Sequence, residues 1–222
     1  EDLLKRKVVF LGDPMTGKTS FVNNFVHEAF SDSYEVNNET LIFELSVNGL
    51  YLATVGIDFA SRTVAFNEMT VILQIWDTSG RDYFLKLIPS YLKDSSLIVF
   101  FYDITSLFFW LFFMKNYVLD AKSFENMEKW IKIVHETLKI DAPIAFIGNK
   151  LDLEEQRQRF IFHLLILILH FNQMQAVKTE EGEAFAKVNG AFLFKETSAK
   201  SGENVRNIIR ELVTYIAEKC VD

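Results

Sequence analysis

A single cysteine, Cys220, stands in 222 residues, so a disulfide framework is excluded and a cytosolic setting fits. Positive charge is short: 23 Lys and Arg face 30 Asp and Glu, a net charge of −7. A nucleic-acid binder asks for a basic face, so nucleic acid is excluded as a partner. No signal peptide is visible, and no C-terminal prenylation motif is present. The most apolar stretches have cores of about 11 to 13 residues, short of the ~20 that cross a bilayer. The chain opens at Glu1 rather than Met and closes at Lys219-Cys220-Val221-Asp222, so both ends are expected to be incomplete. Phenylalanine is in excess, 22 residues, and much of it falls in places where it is not wanted.

Against these absences one stretch is rich in meaning: Gly12-Asp13-Pro14-Met15-Thr16-Gly17-Lys18-Thr19-Ser20. It reads G-x-x-x-x-G-K-[ST]. Gly12 and Gly17 let the backbone turn tightly with its N–H groups around an anion. Lys18 is placed to reach the outer phosphates of a nucleotide, and the Thr19 hydroxyl to sit on Mg²⁺. Lys7-Val8-Val9-Phe10-Leu11 before it reads as a buried strand, and Phe21, Phe25 and Val26 after it fall at helical spacing. A loop between strand and helix sets the phosphates on a helix N-terminus, where the dipole favours negative charge.

Further buried-strand runs follow at Val71–Trp76, Leu97–Tyr102, Pro143–Gly148 and Ala191–Phe194. Helical patterns lie between them: Phe124, Met127, Ile131, Val134 and Leu138, then Val205, Ile208, Ile209, Leu212 and Ile216. Thr179 with Glu180 and Glu181 behind it reads as a capped helix start. Alternating strand and helix predict an α/β fold, a mostly parallel sheet covered on both faces, with ligand-binding loops after the strand C-termini.

Three such loops carry chemistry. Asp77-Thr78-Ser79-Gly80 offers an acid that can hold Mg²⁺ through water and a glycine that lets a backbone N–H approach the terminal phosphate. Alone, D-x-x-G is also common in plain turns. In Asn149-Lys150-Leu151-Asp152 a carboxylate can accept from a ring N–H and an exocyclic amine, which guanine offers together and adenine does not. Thr197-Ser198-Ala199-Lys200 follows the last strand, where a backbone N–H can meet the guanine carbonyl. Together, in this order, the loops are specific.

These motifs make the sequence resemble a small GTPase of the Ras superfamily, and within it the Rab branch. Thr54-Val55-Gly56-Ile57-Asp58-Phe59, Trp76-Asp77-Thr78, Tyr102-Asp103-Ile104-Thr105 and Glu196-Thr197-Ser198-Ala199-Lys200 carry the likeness. Ile88-Pro89-Ser90-Tyr91-Leu92-Lys93-Asp94-Ser95 is similar to Golgi-associated Rabs of retrograde traffic. The resemblance implies a P-loop NTPase fold with a six-stranded sheet and one domain over residues 1–222. It implies that Phe30 packs on the guanine and Tyr34 closes over the phosphates, that Thr54 binds Mg²⁺ and the γ-phosphate, and that Gly80 senses that phosphate. Mg²⁺ would then be held by Thr19, Thr54 and Asp77, with GTP or GDP as ligand. Hydrolysis would involve Lys18, Thr54, Gly80 and residue 81, and effectors would meet a patch of Phe59, Trp76 and Tyr91. An exchange factor, an activating protein and effectors are the implied partners of a monomer. It would act in the cytoplasm, on the cytosolic face of Golgi membranes, with no lipidation motif in view to explain membrane association.

The departures are equally concrete. Arg81 stands where the family has a Gln that orients the attacking water, and Pro14-Met15 stand where small residues are usual. Three stretches, residues 35–52, 107–121 and 159–176, read as foreign to the domain, and removing the roughly 17, 14 and 18 extra residues leaves an ordinary single-domain length. The second and third are rich in Phe, Leu and Ile, which is odd for loops facing water. Translated intron sequence explains them; lineage-specific insertions that meet a membrane or partner are the alternative. Three functions follow: a working switch of the Rab type, a hydrolysis-deficient GTP-bound binding module, or another P-loop enzyme such as a nucleotide kinase. The last is disfavoured by Asn149, Asp152 and Ala199.

Overall fold

All seven residues of Leu97–Asp103 are buried, as only a strand covered on both faces can be. In the computed structural model this strand, β4, lies inside a six-stranded sheet. The structure describes residues 3–27, 54–66, 69–105, 123–138, 142–154 and 177–219. Phe30, Tyr34, Cys220 and the three foreign-looking stretches lie outside the described residues.

The described elements are β1 (Leu3–Leu11), α1 (Lys18–His27), β2 (Ile57–Phe66), β3 (Met69–Thr78), α2 (Ile88–Leu92), β4, α3 (Met127–Thr137), β5 (Ile144–Asn149), α4 (Thr179–Val188), β6 (Leu193–Thr197) and α5 (Val205–Glu218). Short 3-10 turns cover Asp82–Leu87 and Leu151–Leu153. The strand order is β2-β3-β1-β4-β5-β6. Every pairing is parallel except that of β2 with β3. The expected α/β fold, with its six mostly parallel strands, is what the structure has.

Strand alternation decides which helices cover which face. Val8, Phe10, Val99 and Phe101 point to the layer of α1 and α5, where Phe21, Phe25, Ile208 and Leu212 meet them. Val9, Leu11, Ile98 and Phe100 point the other way, to α2, α3 and α4, with Trp130 and Val134 of α3 among them. Burial of this kind contributes roughly 1.5–3 kcal/mol per large apolar side chain. Met127, Ile131 and Val134 in α3 and the five expected positions in α5 turn inward; Phe124 and Leu138 flank α3 and are partly buried against the same core.

Several boundaries differ from the sequence expectation. Asp77, next to last in β3, and Asn149, the last residue of β5, belong to strands rather than to the loops that follow, and Ala191 and Phe192 precede β6. Thr179 is the first residue of α4, not its cap; Lys178 holds the cap position and the Thr179 hydroxyl donates to Glu196 Oε2 at 3.1 Å. No helix among the described residues is long and apolar enough to cross a membrane.

Candidate nucleotide site

The strand order reverses between β1 and β4, and the loop after β1 sits in that crevice, where open α/β sheets hold ligands. Gly12 has φ +141°, and a Cβ there would overlap the Phe101 carbonyl on β4. Gly17 has φ +85°, and a Cβ there would strike the Asn149 side chain. Only glycine allows both approaches. Met15 takes a left-handed φ of 63° without being glycine, which costs about 1–2 kcal/mol. Met15 and Pro14 are both exposed, so the bulk that departs from the family pattern stays outside the loop. Ser20 is half-buried in the first turn of α1.

Lys18 is the first residue of α1 and is 5% exposed. Its ammonium donates to the carbonyls of Gly12 and Asp13, both at 2.8 Å, and to Thr16 Oγ1 at 3.5 Å. Burial pulls its pKa down to about 8, against the upward pull of Asp77 and Asp13. The Asp77 carboxyl is pushed up to about 6, chiefly by burial, with Asp58 across the β2–β3 ladder adding to the rise. Lys18 and the Thr19 hydroxyl oppose that rise. Both groups are held charged at a cost inside the protein, which is how a site for charged ligands is built.

Three hard oxygens converge here. The Thr19 hydroxyl bonds Asp77 Oδ2, and Thr19 Oγ1 lies 2.6 Å from Thr54 Oγ1. Asp77 Oδ1 is buried with no hydrogen-bond partner among the described residues. Among the described residues no cluster of three His, Cys, Asp or Glu exists, so a metal here rests on hydroxyls and one carboxylate. That donor set fits Mg²⁺, which takes few protein oxygens and completes its shell with water and phosphate. Gly80 follows with its backbone pressed against Gly12, Asp13 and Pro14, so that a Cβ would overlap all three. Arg81 is exposed, and its guanidinium has no partner among the described residues.

The other end of the site is made by β5 and β6. Asn149, 1% exposed, donates from Nδ2 to the Thr16 carbonyl at 2.8 Å and accepts at Oδ1 from the Ala199 N–H at 2.9 Å. It joins the phosphate loop to the loop after β6. Asp152 is exposed and accepts the Ser198 hydroxyl at Oδ1, 2.5 Å; its second oxygen has no described partner. Lys150 takes φ 76° and pairs with Asp103 Oδ2 at 2.6 Å. Lys200 is exposed beside Ala199.

Further residues hold this site that the sequence reading did not assign to it. Asn24 on α1 donates to the Ala199 carbonyl at 3.2 Å. Thr78 donates to the Phe10 carbonyl at 2.6 Å and ties β3 to β1. Asn126 and Trp130 both donate to Asp13. An Asn in a helix and a Trp on its apolar stripe give no local signal of such a role.

The Ras family model matches residues 40–218. The chain belongs to the Ras family. It is a small GTPase, and the family's members bind GTP or GDP with Mg²⁺, act as GTP-dependent switches, and meet exchange factors, activating proteins and effectors. The matched stretch begins after the phosphate loop, so Gly12–Thr19 rests on its own motif and geometry.

The aromatic patch lies to one side of this GTPase site. Phe59 on β2 meets Trp76 on β3 edge-on at 6.2 Å between ring centres, and Trp76 meets Tyr91 on α2 at 6.1 Å. Phe59 is 53% exposed, and Trp76 and Tyr91 are half-buried against the core beneath them, so the trio forms a partly exposed patch. The Lys7 ammonium stands 3.9 Å from the centre of the Trp76 ring and donates to the Lys93 carbonyl, fixing the indole from beneath.

Proposed function

We propose that this small GTPase is a switch of the Rab type that recruits effectors in Golgi-related membrane traffic. The observation that carries the reading is the aromatic trio Phe59, Trp76 and Tyr91, contiguous and partly exposed on three elements beside the phosphate site. Phe59 lies five residues after Thr54, at the start of β2, and Trp76 directly precedes Asp77, so ordering at the γ-phosphate reaches the patch through short stretches of chain. Bound Mg²⁺ supplies charge neutralisation across the outer phosphates, with Thr19, Thr54 and Asp77 as the residues to hold it. Lys18 anchors those phosphates and the Gly80 peptide abuts the loop that cradles them. The cytosolic face of Golgi membranes is the proposed place of action. The test is binding of a Golgi Rab effector panel to the protein loaded with a GTP analogue or with GDP. Selective binding of the GTP form, lost about tenfold or more in Trp76→Ala, supports the reading. Equal binding of both forms refutes it.

Arg81 favours a second reading, a mainly GTP-bound module with weak hydrolysis. An Arg has five donors and no acceptor, so it cannot hold the attacking water as a Gln carbonyl does. Switches of this kind turn over at roughly 10⁻⁴ s⁻¹ even with the Gln. Arg81→Gln should raise single-turnover hydrolysis by about tenfold in the presence of an activating protein that relies on that Gln. A parent as fast as the variant removes this second reading.

A further inference from the structure

The motif G-x-x-x-x-G-K leaves the residue after its first glycine open, and a carboxylate beside bound phosphates is electrostatically adverse. Asp13 is nonetheless 6% exposed and fully engaged. Its Oδ1 accepts the indole N–H of Trp130 at 2.7 Å, and its Oδ2 accepts the Asn126 amide at 2.6 Å. Asn126 holds the position just before α3 without capping it, and Trp130 lies four residues on, so both donors stand on one side at the start of that helix. Trp130 is fully buried and cannot swing away. The Asp13 carbonyl meanwhile receives the Lys18 ammonium at 2.8 Å and the Thr16 hydroxyl at 3.0 Å. The Gly80 backbone packs on the same residue from the third side.

We propose that Asp13 is a positioning residue: clamped by Trp130 and Asn126, it fixes the phosphate loop against α3 and so sets how long the nucleotide stays bound. The proposal rests on the reading that this loop holds GDP or GTP. The nearby Lys129–Asp82 ion pair also links α3 to the segment after β3, but its members are 40% and 82% exposed, and such pairs are worth little. The buried clamp is the attachment that holds.

A bystander carboxylate predicts the opposite sign. If Asp13 acted only through its charge, removing it would lessen repulsion of the phosphates and slow release. If it is a brace, removal frees the loop and speeds release.

The experiment is release of a fluorescent GDP analogue from the loaded full chain, with Mg²⁺ and again in EDTA, alongside thermal unfolding. Asp13→Ala should release about tenfold faster in both conditions, as loss of two charge-assisted bonds implies. Asp13→Asn should regain most of that loss, because its amide oxygen still accepts from Trp130 and a rotated Asn126 can accept from its amine. Asn126→Ala, which removes one of the two donors and leaves the loop sequence intact, should release about threefold faster. It carries the test alone if Asp13→Ala does not fold. Release at the parental rate or slower, even with lower thermal stability, overturns the brace. A parent that fails to bind GDP overturns the nucleotide reading itself as well.

Discussion

The two ends of the site are built from different physics. At the phosphate end Lys18 and Asp77 are buried ions whose pKa values both move towards neutrality, and Asp77 Oδ1 has no partner among the described residues. At the base end Asn149 is satisfied on both its amide atoms, and Asp152 is exposed and held by one hydroxyl. The phosphate end thus stores unfavourable electrostatics that a charged ligand and a metal relieve, whereas the base end is already arranged and waits for a matching edge. Affinity should therefore come mostly from the first and selectivity from the second.

The largest effect expected is on Lys18. Lys18→Ala removes a desolvated cation from the phosphates and should weaken GDP and GTP by about a thousandfold, near 4 kcal/mol. Titration calorimetry reads it directly. A loss under tenfold would mean that the stored charge is not what binds nucleotide, and the contrast between the ends would fail.

Asn149 joins the two ends and should blur the contrast when removed. Asn149→Ala leaves the Thr16 carbonyl and the Ala199 N–H without their partner, at about 1–3 kcal/mol each. Guanine and xanthine nucleotides should weaken alike, by about thirtyfold, since Asn149 binds backbone at both its atoms. Asp152→Asn should instead move preference towards xanthine, because the ring N–H and amine lose their shared acceptor. Competition between GDP and XDP on each variant separates the two. Unchanged guanine preference in Asp152→Asn would remove the base end from Asp152.

How much of this was legible beforehand follows the same division. The phosphate loop and the Asp77 and Asn149 motifs could be read because each rests on local chemistry at fixed spacing, and the mostly parallel sheet because strand and helix alternate; the strand order could not, since it is set by pairing between distant segments. β2 could not be read from apolar pattern: it is an edge strand with Asp58, Ser61 and Arg62 along it, and only its pairing with β3 defines it. The supports for Asp13 and Ala199 were invisible for another reason. Trp130 and Asn24 lie more than a hundred residues from the groups they bond, and nothing local marks a side chain whose partner comes from a distant loop. The departures at Pro14 and Met15 were plain, yet their consequence was not. It took the left-handed φ of Met15 and the exposure of both side chains to show that they leave the loop's interior alone.

The most diagnostic effect concerns pH. Burial raises the Asp77 carboxyl from 3.8 to about 6, so between those values the folded protein binds a proton that the unfolded chain does not. Stability contributed by this group therefore falls as pH rises through that window and is constant above it, a change of roughly 3 kcal/mol at most. Asp77→Asn should flatten that part of the profile in metal-free, nucleotide-free protein. Mg²⁺ reverses the preference, because the metal needs the ionised carboxylate and its binding expels the proton. The Mg²⁺-dependent share of GDP affinity should hold steady above pH 6 and decline below it, approaching about tenfold per pH unit. Asp58 across the ladder adds to the raised pKa, so Asp58→Asn should move the onset of that decline to lower pH without abolishing it. If the Mg²⁺-dependent share is flat from pH 5 to 7 in the parent, Asp77 is not the carboxylate that holds the metal. The unpartnered Oδ1 would then be a plain burial penalty, and the phosphate end would lose the feature that sets it apart from the base end.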